Sequence, residues 1–357
     1  MVKTLTELER PPTPLEPASF PPAAGLLYSA QAGQEGRLCY FDGRGIPQCP
    51  VVLTRGWISE AKWSPDKSRI AYVAALTDES YGLWVVRPHG SEQAQVGSQA
   101  PYITFEWRPD SVWLDYSLWN SYDPHEHDPL RDQRFVTNVE TLDTHPIENQ
   151  CEEAYSVYAA AGGTIPGDKF LGRCKYHNIR WSPDRSWLAI STHLVEDGKA
   201  LMQLHLIYTP TNRLAQPDLP YPTIGIGNWA PDSHWLLVSA SGDHAGGMFL
   251  LDSSTLELRR VPVGVSQWSP NGEWLSGTRF EGGECLYVMR SDEAEQRRLA
   301  CGLLGSTHFW SPDSRRIAYE PAGQDSEDGA DILIILVDDG SSQKFSMDGL
   351  ATIQDWR

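Results

Sequence analysis

Residues 179–191 read IRWSPDRSWLAIS, so a tryptophan, a serine-proline-aspartate turn and a new apolar run follow one another within a short stretch. Internal repeats are sought first because they decide the architecture of the whole protein. The same arrangement occurs five more times, as KWSPDKSRIAYV (62–73), EWRPDSVWLDYS (106–117), NWAPDSHWLLVS (228–239), QWSPNGEWLSGT (267–278) and FWSPDSRRIAYE (309–320). Each copy predicts a strand that ends in Trp, a type I turn with Pro at its second position, and a second strand.

The spacing of these tryptophans predicts the number of repeating units. Successive Trp positions are separated by 44, 74, 48, 39 and 42 residues, and all but the second interval fit the period of about 40–50 residues of a four-stranded propeller blade. The interval of 74 must contain an insertion. A seventh Trp, Trp356, ends the last strand of the sequence, and three strands without a preceding Trp strand lie at 25–31, 37–43 and 49–55. We therefore predict an all-β, seven-bladed β-propeller whose ring closes when the C-terminal strand pairs with the three N-terminal strands.

A third strand is recognisable in each complete repeat, at 83–90, 135–142, 204–211, 248–255, 286–293 and 333–340. Together with the Trp-Ser-Pro-Asp turns, these strands resemble the TolB-like propeller repeat, which is related to tricorn-type and prolyl-oligopeptidase-type propellers. The resemblance covers about residues 25–357 and implies the fold, but not the activity, because one fold hosts many functions. Repetition also indicates that turn aspartates such as Asp184 and Asp313 are structural, so no catalytic residue is assigned.

The domain boundaries follow from the repeats and from composition. Residues 1–23 contain six prolines and no apolar core of a signal peptide, and we expect an extended arm there, with the propeller at 24–357. Neither the N-terminal domain of TolB nor a hydrolase domain is expected. The net charge of -18 argues against a nucleic-acid partner, and no apolar run approaches the roughly 20 residues that span a membrane. We expect a monomer.

Six cysteines fall into three local pairs, Cys39 with Cys49, Cys151 with Cys174 and Cys285 with Cys301. Cys39 and Cys285 lie on predicted third strands, and their partners lie at or near the following fourth strands. Pairing across two hairpins favours disulfides and an extracytoplasmic location, with an export signal missing from this sequence. The alternative is a cytoplasmic protein with six reduced core thiols.

The alternating direction of the four strands sorts the loops onto two faces. All six Trp-Ser-Pro-Asp-like turns belong to one face, which we call the turn face. The opposite loop face receives insertions at 121–133 and 149–178, the latter opening with a short helix at 151–161. Long irregular loops on a rigid scaffold commonly bind ligands. The candidate binding residues on the loop face are Trp57, Tyr81, Trp119, Tyr122, Tyr221, Asp243 and His244.

Two functions follow from this face. Acidic loops with aromatic side chains favour a non-catalytic scaffold that binds a protein, peptide or glycan. The alternative is a metal-dependent carbohydrate-active enzyme, as in seven-bladed sugar-acid lyases that carry a related repeat. Its candidate metal ligands are His125, His127 and Asp128, because imidazole and carboxylate groups bind divalent ions. No other cofactor is expected, and a divalent metal belongs only to the alternative.

Overall fold

The computed structural model describes most of the protein from residue 23 to its end. The described ranges are 23–77, 80–119, 133–147, 150–163, 179–196, 199–219, 221–242, 246–261, 264–292, 295–321, 330–347 and 349–357. The predicted arm at 1–22 lies outside them. Within these ranges, no helix is long and apolar enough to cross a bilayer.

The described strands form seven four-stranded antiparallel sheets arranged in a ring, which confirms the predicted seven-bladed propeller. Blades 1 to 3 are, from inside to outside, β28 (Leu350–Trp356), β1 (Leu26–Ala32), β2 (Glu35–Phe41) and β3 (Pro47–Leu53); β4 (Ile58–Trp63), β5 (Ile70–Thr77), β6 (Ser80–Val86) and β7 (Ala94–Ala100); and β8 (Tyr102–Trp107), β9 (Trp113–Trp119), β10 (Gln133–Asn138) and β11 (Thr144–Ile147). Blades 4 and 5 are β12 (Ile179–Trp181), β13 (Trp187–Glu196), β14 (Lys199–Tyr208) and β15 (Arg213–Ala215); and β16 (Thr223–Trp229), β17 (Trp235–Ser241), β18 (Gly247–Asp252) and β19 (Leu258–Val261). Blades 6 and 7 are β20 (Val265–Trp268), β21 (Trp274–Phe280), β22 (Glu284–Arg290) and β23 (Gln296–Cys301); and β24 (Leu303–Trp310), β25 (Arg316–Pro321), β26 (Ala330–Leu336) and β27 (Ser342–Met347).

The ring closes in blade 1 as the sequence predicts. Strand β28 pairs antiparallel with β1, with Trp356 opposite Leu26 and Leu350 opposite Gln31. The two ends of the described polypeptide therefore meet on the turn face. Gly25 has a φ of 79°, and a Cβ atom there would lie 2.1 Å from the Arg357 carbonyl oxygen, so only glycine fits this approach.

The hairpin turn of the opening stretch has the predicted type I geometry. The Arg185 N–H donates to the Ser182 carbonyl at 2.8 Å, and the Ser182 hydroxyl accepts from the Trp187 N–H at 2.9 Å. The Ser182 hydroxyl also donates to Asp184 at 2.7 Å. Burial alone would raise the pKa of Asp184, but this bond and those from Ser186 and Ser233 lower it to about 2. The turn aspartate is therefore structural, as predicted.

The residue after each turn aspartate adopts a left-handed conformation, and in three blades it also joins neighbouring blades. Serine occupies this position in blades 3, 5 and 7, at Ser111, Ser233 and Ser314, with φ of 62°, 63° and 59°. Each of these hydroxyls accepts from a turn N–H of the preceding blade, the donors being Asp66, Asp184 and Asn271 at 2.9, 3.1 and 3.0 Å. The turn face is thus tied together across three blade interfaces.

Apolar clusters fill six of the seven interfaces between described residues of adjacent blades. Each of these clusters takes buried side chains from both blades, as between blades 2 and 3, where Val73 and Leu83 pack with Phe105 and Tyr116. The same holds for the pairs 7–1, 1–2, 4–5, 5–6 and 6–7. The interface between blades 3 and 4 is different, because the cluster on that side of blade 4 contains no described residue of blade 3.

A helix covers this side of blade 4. The helix α1 (Gln150–Ala160) lies where the sequence predicts one, and its Ala154 and Tyr158 pack on Ile179, Leu188 and Ile207. These positions are one helical turn apart and therefore lie on the same side of the helix. The helix ends at a glycine pair, because the N–H groups of 162 and 163 donate back to the carbonyls of 159 and 158. Helix α1 thus takes the place of a direct apolar contact between the two blades.

Candidate functional site

Blade 3 turns a polar surface toward blade 4. Along β8, Ile103, Phe105 and Trp107 face the core shared with blade 2, and the alternate residues Thr104 and Glu106 line a cavity of about 570 Å³. We call this cavity the blade 3–4 cleft. It reaches from Tyr102 at the loop-face end of β8 to the turn of blade 4. Its charged lining consists of Glu60, Lys62, Glu106, Asp115, Arg134, Arg180 and Arg185.

The inner wall of the cleft is a row of alternating charges. Lys62 Nζ lies 2.9 Å from Glu60 and 2.7 Å from Glu106, and it donates to the Phe105 carbonyl at 3.1 Å. Burial alone lowers the pKa of Lys62, but the two carboxylates more than offset this, so its pKa is raised. Asp115 accepts from Arg108 Nε at 2.8 Å. These side chains present both signs of charge to a ligand.

The cleft lining also includes three arginines, two of which are bridged by helix α1. One oxygen of Glu153 pairs with Arg134 of β10 at 3.3 Å, and the other pairs with Arg185 of the blade 4 turn. Arg180 lies on β12, and burial lowers the pKa of its guanidinium. Among the described residues, the cleft therefore has four basic and three acidic lining side chains in a protein whose net charge is -18.

The tryptophan at the end of β12 differs from its equivalents in the other blades. The indole N–H groups of Trp107, Trp229 and Trp268 donate to the backbone carbonyl just before the equivalent Trp of the preceding blade, at 3.1, 3.2 and 3.3 Å. Those of Trp63, Trp310 and Trp356 also have acceptors. The Trp181 Nε1 atom is buried with no hydrogen-bond partner, and the Arg185 guanidinium lies 4.3 Å from its ring centroid. The missing inter-blade bond marks the blade 3–4 interface again.

The strand directions place four of the predicted binding residues on the loop face. Trp57 immediately precedes β4, and its ring lies 6.3 Å from that of Tyr81 at the start of β6. Trp119 ends β9, lies 5.0 Å from the ring of Tyr102 and donates to Thr104 of the cleft lining at 3.3 Å. Tyr221 precedes β16 and lies 5.7 Å from the ring of Phe249 in blade 5. Trp119 therefore adjoins the cleft, and the binding role of all four stays a prediction.

The other predicted site residues lie outside the described residues. They are Tyr122, Asp243 and His244 of the candidate binding set, and His125, His127 and Asp128 of the candidate metal site. Among the residues that the structure does describe, no three His, Cys, Asp or Glu side chains are grouped to hold a metal ion.

Two of the three predicted disulfides are formed. Cys39 bonds Cys49 across β2 and β3 of blade 1, and Cys285 bonds Cys301 across β22 and β23 of blade 6. Both join a third strand to a fourth strand, as the sequence predicts. The pairing of Cys151 with Cys174 lies outside the described side chains.

The blade 3–4 cleft was not predicted from the sequence, although one signal for it was present. The residue eight positions after the repeated Trp is Ala71, Ala189, Leu237, Ser276 or Ala318 in five copies, and Asp115 in blade 3. A charged residue at a position that is otherwise small or apolar indicates that this strand face does not enter an apolar core. No such signal distinguishes Arg134, Arg180 or Arg185 from ordinary surface arginines.

Comparisons with known proteins agree on the fold. No protein-family model and no curated protein matches the sequence. Among solved structures, the protein is similar to TolB from Acinetobacter baumannii, with 12% identity over 92% of this chain and 81% of that chain and a TM-score of 0.48. The β-propeller domain of the Trilobed protease from Pyrococcus furiosus matches with 13% identity over 93% of this chain and 95% of that chain, at a TM-score of 0.51.

An oligogalacturonate lyase in complex with manganese also shares the fold, with 13% identity over 91% of this chain and 86% of that chain and a TM-score of 0.56. The predicted resemblance to TolB-like propellers and their relatives is therefore confirmed as a likeness of fold. At such identities the similarity carries no information about ligand or activity.

Proposed function

We propose that this propeller is a non-catalytic scaffold that binds a protein or peptide segment on its loop face, with the blade 3–4 cleft as the binding pocket. The observation that carries the proposal is the cleft itself, a charged cavity of about 570 Å³ at the interface where the described residues of the two blades share no apolar core. The strands of the ring hold the described side chains of the cleft in defined positions. Such pre-organisation favours binding because little freedom is lost when a ligand is held.

The lining of the cleft suits a peptide better than an apolar small molecule. Both signs of charge line it, and the ring pair of Tyr102 and Trp119 adjoins its loop-face end. Aromatic side chains and arginines are the residues that most often dominate protein interfaces. Acidic residues at the loop-face ends of blade 6, Glu281 and Glu284, favour a segment that also carries basic side chains.

We also propose that the protein works outside the cytoplasm. Its two disulfides support this, because oxidising compartments preserve such bonds and the cytosol reduces them. Alkylation of free thiols in intact cells of the native host, followed by mass spectrometry, tests this location. Cys39, Cys49, Cys285 and Cys301 should escape alkylation, and their complete alkylation in fresh cells would contradict it.

Selection of a phage-displayed random 12-residue peptide library on the immobilised full-length protein tests the binding proposal. Enriched peptides should bind Arg134→Gln and Trp119→Ala at least tenfold more weakly. The matched control is Arg213→Gln, since Arg213 lines a groove of about 610 Å³ on the turn face between blades 4 and 5. An absence of enriched peptides, or peptides weakened by the control and not by the cleft variants, would refute the proposal.

A further inference from the structure

We infer that Arg134, Arg180 and Arg185 form a carboxylate-binding site in the blade 3–4 cleft, and that the carboxylate of Glu153 occupies this site while no ligand is bound. The inference rests on the proposed function and deepens it, because it gives the chemistry by which the cleft recognises its partner. That partner is a segment with an accessible carboxylate, either the C-terminus of a polypeptide or an Asp or Glu side chain.

The three arginines come from both sides of the cleft. Arg134 belongs to the third strand of blade 3, Arg180 to the first strand of blade 4, and Arg185 to the hairpin turn of blade 4. All three line the same cavity. Guanidinium groups stay charged at every physiological pH and offer planar pairs of donors that match the two oxygens of a carboxylate. The cavity can therefore hold an anionic group against these arginines.

Glu153 shows how such a group binds. Its two carboxylate oxygens are divided between Arg134 and Arg185, so a single carboxylate links blade 3 to blade 4. The Glu153 side chain is 26% exposed, and those of Arg134 and Arg185 are 16% and 56% exposed. Ion pairs that solvent reaches contribute little to stability. An incoming carboxylate that makes the same two pairs can therefore replace Glu153 at little cost.

One further group favours entry of an anion. The buried indole N–H of Trp181, which has no acceptor, is a donor at the same interface and lies beneath Arg185. A buried donor without an acceptor is unfavourable, so an acceptor that reaches it adds to affinity.

Isothermal titration with citrate at constant ionic strength tests the inference. Glu153→Gln keeps the shape of the side chain and removes its charge, and we expect it to bind citrate about three- to fivefold more tightly than the natural protein. Addition of Arg134→Gln or Arg185→Gln to this variant should abolish the gain. The matched control is Glu152→Gln, an equal change of charge at an exposed residue of the same helical turn, which should leave citrate binding unchanged.

Several results would overturn the inference. Equal citrate affinity in the natural protein, Glu153→Gln and Glu152→Gln would mean that Glu153 only fixes helix α1 to the two blades. A lower melting temperature of Glu153→Gln, but not of Glu152→Gln, would agree with that structural role. If inorganic phosphate binds as tightly as citrate, the site binds anions in general and is not selective for carboxylates. If Glu153→Gln fails to fold, Glu153→Asp, too short to reach both arginines, should show the same gain.

Peptides distinguish the two sources of carboxylate and separate this inference from the proposed function. A C-terminal amide should abolish binding if the terminus is recognised, and Asp or Glu replacement should do so if a side chain is. Library peptides that need the cleft but bind Glu153→Gln no better would end this inference and leave the scaffold in place. Citrate binding as expected, without any enriched peptide, would support the carboxylate site and refute the proposed peptide-binding function.

Discussion

Apolar side chains fill the interface between blades 7 and 1, next to the strand that closes the ring. The described residues of blades 3 and 4 share no such apolar cluster. At the closure, β28 packs Ile353 and Trp356 into an apolar cluster with blade 7. Side chains also bond backbone N–H groups of neighbouring blades, since Glu320 of blade 7 accepts from Ile353 of blade 1 at 2.7 Å and Asp355 of blade 1 accepts from Trp63 of blade 2 at 2.9 Å. Between blades 3 and 4, helix α1, ion pairs and a cavity stand in place of these contacts.

The difference follows from how the strands are connected. Within blade 1 no peptide bond joins β28 to β1, β2 and β3, so only packing and hydrogen bonds hold the ring shut. Between blades 3 and 4 the backbone itself runs across the interface, through the segment that contains helix α1. A propeller can therefore open a gap at a covalently bridged interface without exposing the edges of the ring.

Deletion of residues 350–357 should have the largest effect. It removes all of β28, including the buried side chains of Ala351, Ile353 and Trp356. Since truncation of one large core residue destabilises a protein by about 3–5 kcal/mol, the total should approach the whole stability of a typical domain, about 5–15 kcal/mol. Circular dichroism should record no cooperative thermal transition near that of the full-length protein. Unchanged melting would mean that the closure is not what holds the ring.

A charge placed at equivalent positions of two blades compares the interfaces directly. Ala318 of blade 7 is fully buried in the closure cluster, and Asp115 is its counterpart in blade 3. Ala318→Asp should destabilise the protein by about 3–5 kcal/mol, because it buries an unpaired carboxylate.

The reciprocal change, Asp115→Ala, should cost at most about 1 kcal/mol, because only its solvent-accessible pair with Arg108 is lost. Urea unfolding of the two variants and the natural protein measures both free energies. Equal costs would remove the distinction between the interfaces.

Acid should loosen the blade 3–4 side first, because of His205. Gln216 donates to Nδ1 at 3.0 Å, so Nε2 carries the proton and donates to Thr192 at 3.0 Å. Burial lowers the pKa of His205 to about 4. An unfolded polypeptide has a histidine pKa of about 6.5, so the unfolded state gains the proton first as the pH falls. About 3 kcal/mol of stability, complete above pH 6.5, is therefore lost as the pH falls toward 4.

The buried carboxylates of the closure respond with the opposite sign. Burial raises the pKa of both Asp355 and Glu320, so the folded state holds their protons more tightly. Their contribution is most favourable at low pH and is lost as the pH rises through the raised pKa values. Hydrogen exchange corrected for intrinsic rates should therefore speed up in helix α1 and β14, but not in β28, between pH 7 and pH 5. His205→Gln should remove this change, and faster exchange of β28 would argue against it.

The smallest effect concerns the indole N–H groups. Trp268→Phe leaves the Asn228 carbonyl without its donor and should cost about 1 kcal/mol more than Trp181→Phe, whose N–H has no acceptor to lose. The loss of ring size is the same in both variants and cancels in the difference. Thermal unfolding of the two variants side by side measures it. A larger loss for Trp181→Phe would reveal an acceptor within the cleft.

Local signals made the fold predictable. The Ser-Pro-Asp turn is fixed by neighbouring atoms, as the bonds from the Ser182 hydroxyl illustrate, so each copy marks a strand end and the copies count the blades. Cys39 and Cys285 were paired correctly for the same reason, since each partner lies on the next strand.

The cleft was not predictable because it depends on which strand face meets a neighbour. Arg134 and Arg185 are distant in sequence and are brought together by Glu153, which belongs to an insertion. Asp115 shows that blade 3 has a polar side, but the repeat pattern does not reveal that a helix fills the space beyond it. Long-range packing of this kind leaves no periodic trace in a single sequence.

The approach of Gly25 to Arg357 has a practical consequence for orientation. Both ends of the propeller emerge side by side on the turn face, with the Trp356 indole bonded to the Ala24 carbonyl at 3.0 Å. A bead, a sensor chip or a carrier protein coupled at residue 357 would therefore lie next to the turn face of the ring. The loop face would point outward into the medium, where a ligand approaches it without obstruction.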